Sequence, residues 1–146
     1  MCKALICTRT HEHSFRTHLY LLIFSGGWNP ELSDGQALTA WIQADLRIVH
    51  LLLSVTTQGR SDAAMWVTSY RISYGNDVSS LTEINVNYGG NTDQNTSVTN
   101  QLPCNTLGRY IRLRPTGRNT YTVALRWDVI GVPDTESENA HARKFV

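Results

Sequence analysis

The histidines are the residues whose spacing first suggests chemistry. His11 and His13 are two residues apart and His18 follows closely, so an extended segment would present two imidazoles on one face, as the start of a metal site does. No carboxylate or thiol stands at a spacing that would complete the ligand set. A solvated leader segment explains these histidines better, and we expect neither a metal site nor a cofactor.

The groups that catalysis requires are dispersed along the chain. The aspartates show no carboxylate pair of the kind that glycosidases use, and they occur singly at Asp34, Asp45, Asp62, Asp77, Asp93 and Asp128. Gly89-Gly90-Asn91 lacks the lysine and the following Ser or Thr of a phosphate-binding loop, and it predicts a hairpin turn instead. No strand-to-helix nucleophile elbow is present. We therefore expect no catalytic residues and no enzymatic activity.

Length and charge limit the partners of the chain. Its 146 residues suit one domain with one core, and 13 basic against 12 acidic side chains give a net charge of +1. No sequence-wide basic field exists to hold a nucleic acid. The longest apolar runs, Leu19–Phe24 and Leu51–Leu53, are far shorter than the roughly 20 residues of a membrane span. The three cysteines, two of them near the start of the chain, do not settle the compartment.

Short runs rich in Val, Ile, Thr, Tyr and Trp alternate with Gly, Asn, Asp and Ser clusters, a pattern typical of an all-β sandwich or barrel. The predicted strands are Leu19–Phe24, Trp41–Leu46, Ile48–Thr57, Trp66–Tyr74, Thr82–Asn87, Ser97–Gln101, Arg109–Arg114 and Thr122–Ile130. Gly75-Asn76-Asp77 and Gly89-Gly90-Asn91 are predicted to supply the positive φ angles of hairpins. These elements predict three segments: a leader at 1–18 that imitates a signal peptide, the domain at 19–132 and a disordered polar tail at 133–146.

Alternation within the strands assigns side chains to the core. Ile111 and Leu113 are predicted to face inward, with Arg112 and Arg114 outward or paired with a carboxylate. Asp45 is expected to form a structural ion pair with Arg112 or with Arg126. The aromatic residues of the strands are expected to be core or near-core residues, and these are Trp41, Trp66, Trp127, Tyr70 and Tyr110.

A series of motifs in fixed order carries a family resemblance. The motifs are Gly27-Trp28-Asn29-Pro30, Trp41-Ile42-Gln43-Ala44-Asp45-Leu46, Val55-Thr56-Thr57-Gln58-Gly59-Arg60, the run Trp66 to Tyr74, Gly90-Asn91-Thr92-Asp93-Gln94-Asn95, Arg109-Tyr110-Ile111-Arg112-Leu113-Arg114-Pro115 and the run Ala124 to Gly131. Together they closely resemble the discoidin domain, also called the coagulation factor five/eight type C domain, over about residues 26–131. Each motif alone would be weak, but seven in order are specific.

The resemblance implies a fold and a mode of binding. It implies an antiparallel jelly-roll β-sandwich of about eight strands, and an extracellular module that binds phospholipid headgroups, sugars, collagen or other receptors through loops at one end. Two of those loops match here, Trp28 to Gly35 and Gln58 to Met65. The ligand-binding residues so implied are Trp28, Asn29, Leu32, Arg60, Asp62, Ala63, Ala64 and Met65.

The chain also departs from the family pattern. Residues 1–24 do not resemble the first strands and the third projecting loop of the family, so the sequence is expected either to begin inside the domain or to carry an unrelated leader. Val132 stands where many members have the second cysteine of a disulfide that joins the ends of the domain. Arg47 stands where a glycine usually follows the aspartate and leucine.

The implied loops favour some ligands over others. Trp28, Asn29, Arg60 and Asp62 are residue types that bind sugars, whereas Leu32 is the only large aliphatic side chain at an obvious loop tip. We therefore expect a cell-surface or matrix glycan first and a protein receptor second, with phospholipid headgroups as an alternative. A structural fragment of a larger adhesion protein and a targeting module fused to a hydrolase are the other hypotheses. Asn95-Thr96-Ser97 is a candidate glycosylation site if the chain is secreted.

Overall fold

The computed structural model describes residues 17–19, 26–30 and 34–134. Its regular structure in these ranges is eight β-strands and one six-residue 3-10 helix, Asp34–Thr39, which confirms the all-β prediction. The strands are β1 Thr17–Leu19, β2 Ile42–Gln58, β3 Val67–Gly75, β4 Thr82–Glu83, β5 Tyr88–Gly89, β6 Val98–Gln101, β7 Leu107–Arg118 and β8 Arg126–Pro133. Within these ranges no helix is long and apolar enough to span a membrane.

The strands form one curled antiparallel sheet in the order β1-β8-β2-β7-β3-β4, with β5 added to β3 and β6 added to β2. The long strand β2 joins the two halves of this sheet. Its first part, Ile42 to Asp45, pairs with β7, and its second part, from His50 onward, pairs with β8 and β6 and, at His50 and Leu51, with β7 again. Arg47 lies between the two parts with a φ of 70°, where the register of β2 against β7 shifts. The bend at Arg47 therefore lets one strand pair with β7 on one side of the bend and with β8 and β6 on the other.

The core lies between the two halves and follows the predicted alternation. Ile111 and Leu113 are fully buried, as predicted, and so are Tyr70 and Trp127. Trp41 contradicts the core prediction, because it is 49% exposed. It precedes the first residue of β2 on the outward-facing side of the pleat, so its ring lies over the sheet surface.

Several strand boundaries differ from the prediction. The two strands predicted on either side of Arg47 are one strand, because a single residue with positive φ bends β2 without ending it. The predicted strand Thr82–Asn87 breaks after Glu83, and Thr122–Leu125 lies outside β8 apart from one bridge at Leu125. β8 continues instead to Pro133. Of the predicted strand Leu19–Phe24 only Leu19 is among the described residues, and it is the last residue of β1.

The two glycine clusters do not supply positive φ angles. Among the described residues, positive φ occurs at Gly26, Gly27, Arg47 and Asn105. Gly75-Asn76-Asp77 does join the hairpin strands β3 and β4, with φ in the ordinary range. Gly89-Gly90-Asn91 is not a hairpin turn, because this segment runs beside β3: Gly90 N–H donates to Thr68 O and Asn91 N–H donates to Val67 O.

Candidate binding site

A glycine pair sets the direction of the first predicted loop. Gly26 and Gly27 have φ angles of 100° and 116°, which side chains other than glycine rarely adopt. A Cβ at Gly27 would lie 3.0 Å from the carbonyl oxygen of Leu125. Trp28 and Leu125 then exchange two backbone hydrogen bonds: Trp28 N–H donates to Leu125 O at 2.9 Å, and Leu125 N–H donates to Trp28 O at 3.0 Å. Trp28 and Asn29 therefore leave the sheet from a fixed backbone position.

The second predicted loop, residues 58–65, closes on itself where β2 ends. Arg60 N–H donates to Met65 O at 2.9 Å, and Met65 N–H donates to Ala63 O at 2.7 Å. Gly59 is required at its base, because a Cβ there would lie 2.8 Å from both Met65 O and the Cα of Gln94. The loop is thus a compact turn whose shape is set by backbone contacts.

The two loops are joined directly. Ser61 N–H donates to Gly26 O, and Gly26 N–H donates to Ser61 Oγ, both at 2.8 Å. Their side chains meet as well: when the Asn29 amide is oriented so that its oxygen faces a donor and its nitrogen faces acceptors, Arg60 Nη1 donates to Asn29 Oδ1 at 2.9 Å. With its amide in this orientation, Asn29 also donates to Thr122 Oγ1 at 3.2 Å and to Val123 O at 3.0 Å. Two residues predicted from separate loops, Asn29 and Arg60, therefore belong to one hydrogen-bonded group.

Asp62 completes this group. Arg60 donates to both of its carboxylate oxygens, from Nε at 2.5 Å and from Nη2 at 3.2 Å. These hydrogen bonds lower the pKa of Asp62 and raise the pKa of Arg60, so both side chains stay charged at neutral pH. We define Asn29, Arg60 and Asp62 as the loop triad.

Tyr121 stands next to the loop triad and was missed by the sequence analysis. It is 65% exposed and lies between Asn119, whose Nδ2 donates to Ala64 O, and Thr122, whose Oγ1 contacts the Asn29 amide. Tyr121 lies in the connection from β7 to β8, where no periodicity marks a residue. The one available signal was that Thr120 and Tyr121 directly precede the predicted strand Thr122–Ile130.

The remaining predicted residues take different positions. Ala64 is exposed, while Ala63 and Met65 are partly buried, and Ala64 O accepts a hydrogen bond from Asn119 Nδ2 at 2.9 Å. Trp28 is partly buried and packs against the core, which fits a supporting role at the loop base. Leu32 lies outside the described residues.

A third segment, residues 91–96, borders the same end of the sheet. Gln94 Nε2 donates to Ser61 O at 2.8 Å, and buried Asn91 donates to Thr57 O and Thr96 O. The candidate glycosylation residue Asn95 is exposed in this segment, and its modification stays a prediction.

The arrangement offers binding groups and lacks the clusters that metal chemistry uses. In the part of the chain that the structure describes, no three His, Cys, Asp or Glu side chains are grouped as a metal site.

The predicted partners of Asp45 are wrong: its carboxylate accepts from Arg109 Nε and Nη2 at 2.7 and 2.8 Å. Arg126 donates to the carbonyl oxygens of Gly59 and Gln94 instead, so it links the base of the 58–65 loop to the 91–96 segment.

Comparison with known proteins gives a family match. The family model described as the F5/8 type C domain matches residues 9–129. Contactin-associated protein 1 of Mus musculus is 33% identical over 117 residues, which cover 76% of this chain and 8% of that protein. Retinoschisin of Takifugu rubripes is 36% identical over 106 residues, which cover 68% of this chain and 38% of that protein. The chain thus spans less than half the length of either relative.

A solved structure supports the same assignment. Discoidin II from Dictyostelium discoideum matches with a TM-score of 0.59 and 32% sequence identity, over 64% of this chain and 37% of that chain. Together with the family match, this confirms the predicted jelly-roll fold.

Proposed function

Because this chain belongs to the F5/8 type C domain family, we propose that it is a non-catalytic extracellular binding module that recognises a cell-surface or matrix glycan through its loop end. The ligand-contacting groups in this proposal are the loop triad, Asn29, Arg60 and Asp62, together with Tyr121. A protein receptor is the next partner class in order of preference.

The observation that carries the proposal is the Arg60 hydrogen-bond network. A sugar site needs polar groups held in fixed positions beside an aromatic ring. Arg60 holds Asp62 and Asn29 at the same time, and Thr122 and Val123 hold the Asn29 amide from the other side. The donors and acceptors are therefore ordered before a ligand arrives, which reduces the entropy lost on binding. Tyr121 beside them offers an exposed ring on which a sugar can stack.

The same loop end offers little apolar surface for a membrane. Among the described residues, Tyr121 is the large hydrophobic side chain exposed beside the loop triad, and Ala64 is small. Burial of one large side chain contributes about 1.5 to 3 kcal/mol, whereas even millimolar affinity requires about 4 kcal/mol. Phospholipid headgroups are therefore the weaker alternative, with Leu32 as the residue on which it depends.

A glycan array with the intact chain tests the proposal. We expect selective binding that Arg60→Gln abolishes, because glutamine cannot hold Asp62 and Asn29 together. Tyr121→Ala should weaken the binding and Tyr121→Phe should retain it, since stacking uses the ring and not the hydroxyl. Val78→Ala is the matched control: Val78 is 47% exposed in the turn between β3 and β4, at the opposite end of the sheet.

Liposomes separate the alternatives. Tight binding to phosphatidylserine vesicles that Leu32→Ala abolishes would overturn the preference for a glycan. Absence of binding to the array, to vesicles and to matrix proteins would instead favour a structural part of a larger protein with no ligand of its own.

A further inference from the structure

A second polar surface lies away from the loop end, on the outer face of the sheet half formed by the start of β2, β7, β3 and β4. Alternation places it there: Ile111 and Leu113 of β7 are buried, whereas Arg112 and Arg114 point outward. We define the arginine face as Arg47, Arg71, Arg109, Arg112 and Arg114, together with Trp41, Gln43, Asp45, Glu83 and Tyr110. Arg47 and Arg109 belong to it through their ion pairs with Asp45.

Charge is concentrated on this face. The whole chain has a net charge of +1, but the arginine face combines five arginines with two carboxylates, an excess of three positive charges. Arg71 and Arg114 are directly opposite each other in the β3–β7 register and share Glu83, at 2.7 and 3.1 Å. One carboxylate thus lies between two guanidinium groups, which keeps both arginines in place and leaves one positive charge unbalanced.

Arg112 is held without a carboxylate partner among the described residues. Its guanidinium carbon lies 4.2 Å from the centre of the Trp41 ring, and its Nε donates to Gln43 Oε1 at 3.0 Å. The guanidinium carbon of Arg109 likewise lies over a ring, 4.9 Å from the centre of Tyr110, but Arg109 is also paired with Asp45. Because Arg112 is already ordered by a neutral amide and a ring, it can accept an anion without first breaking an ion pair.

We infer that the arginine face binds a linear sulfated glycan. Sulfate groups accept paired hydrogen bonds from guanidinium in the way that carboxylates and phosphates do. The arginines stand on adjacent strands about 5 Å apart, so one extended chain can reach several of them. Trp41 lies beside Arg112 and Tyr110 beside Arg109, so the face offers rings together with guanidinium groups to a ligand made of sugar rings and anionic groups. This surface is separate from the loop triad and does not depend on the proposed function.

An acidic peptide fits the face less well. Docked peptides gain much of their affinity from apolar side chains buried in grooves. The face is the outer surface of a sheet, and its aromatic groups, Trp41 and Tyr110, are each covered by an arginine on one side. Attraction between charges must therefore supply most of the affinity, and this favours a densely charged linear polymer.

Immobilised heparin is the probe for this inference. We expect the intact chain to bind it with an affinity that falls roughly tenfold between 50 and 200 mM NaCl, as release of counterions from about two charge contacts requires. Arg112→Gln should weaken the binding severalfold, and the pair Arg112→Gln with Arg114→Gln should weaken it at least tenfold. Circular dichroism spectra identical to wild type would establish that these variants fold.

The matched control is Gln101→Glu. It lowers the net charge by one, as Arg112→Gln does, but Gln101 is exposed on β6, in the other half of the sheet. Heparin binding by Gln101→Glu should stay near that of wild type. An equal loss in both variants would overturn the inference, because net charge and not the arginine face would then govern binding.

Three further ligands complete the test. Desulfated heparin should not bind, and binding equal to that of heparin would overturn the role assigned to sulfate. Poly-glutamate or single-stranded DNA that bound as tightly as heparin would also overturn the inference, because the face would then recognise negative charge in general.

Discussion

The backbone of Gly90 lies against the carbonyl oxygen of Val67, so close that a Cβ at Gly90 would be 2.4 Å from that oxygen. This contact, together with the hydrogen bonds from Gly90 N–H to Thr68 O and from Asn91 N–H to Val67 O, fixes the 88–91 segment beside β3. Both contacting groups belong to the backbone, so no side chain can turn aside to make room. The next segment, residues 91–96, borders the loop end.

We therefore predict that Gly90→Ala destabilises the fold by about 1 to 3 kcal/mol, the usual cost of forcing extra atoms into a packed site. Gly89→Ala is the matched control, because a Cβ there would meet nothing within 4 Å and its φ is not positive. It should change the stability by under about 1 kcal/mol. Urea unfolding of both variants measures the difference, and equal stabilities would contradict the packing described for Gly90.

Arg47 leads to a stabilising prediction. It has a φ of 70° at the bend of β2, in the left-handed region that costs a side chain other than glycine roughly 1 to 2 kcal/mol. Arg47→Gly should relieve this strain, and after the entropy cost of glycine in the unfolded chain we expect a gain of about 1 kcal/mol. Arg47→Ala keeps the strain and should give no gain. Thermal unfolding distinguishes the two, and a gain with alanine would refute the strain argument.

The sequence predicted those features that follow from local patterns. Ile111 and Leu113 were assigned to the core correctly, because a half-buried strand alternates with a period of two. The glycine that the family resemblance implies for position 47 also has a physical reason, the positive φ found at Arg47. Strand boundaries were less accurate, since whether a residue pairs depends on its neighbours in the sheet and not on its own type.

Features that depend on register could not be predicted. Asp45 is opposite Tyr110, so Arg109 and not Arg112 reaches its carboxylate, and only the strand pairing determines this. Tryptophan is a residue type common in cores, but Trp41 precedes the first paired residue of β2, and its side chain is exposed there. Tyr121 escaped notice because an exposed residue in a connection carries no periodic signal. The resemblance supplied Asn29 and Arg60, but their hydrogen bond required coordinates.

Asn91 is a buried polar residue that ties the 91–96 segment to β2. It is 1% exposed, and its Nδ2 donates to Thr57 O at 3.0 Å and to Thr96 O at 2.7 Å. Asn91→Ala leaves two carbonyl oxygens without this donor, and we predict a loss of about 2 to 4 kcal/mol. Asn95→Ala, at an exposed position of the same segment, should cost under about 0.5 kcal/mol in unglycosylated protein. Comparable losses in the two variants, measured by urea unfolding, would argue against the anchoring role of Asn91.

Acid should destabilise the fold in part through Asp45. Hydrogen bonds from the Arg109 guanidinium and from the Arg47 backbone N–H hold the pKa of Asp45 well below its ordinary value of 3.8. Because the pKa is lower in the folded state than in the unfolded chain, the charged carboxylate stabilises the fold above pH 3.8. This stabilisation decreases as the pH falls below 3.8 towards the lowered folded pKa. Hydrogen bonds likewise lower the pKa values of Asp62, Asp77, Glu83 and Asp93, which add to the effect in the same direction.

We predict that the thermal midpoint of the wild type falls between pH 5 and pH 2.5, and that it falls less in Asp45→Asn, whose amide does not titrate. The variant should be the less stable protein at pH 5, and the gap between the two should narrow as acid protonates the wild-type carboxylate. Arg109→Gln, which removes the partner and leaves the carboxylate, should also flatten the acid dependence, because the pKa of Asp45 then returns towards 3.8. Calorimetry over this pH range gives all three curves. A gap between wild type and Asp45→Asn that stays constant from pH 5 to pH 2.5 would show that the Asp45–Arg109 ion pair does not contribute to the pH dependence of stability.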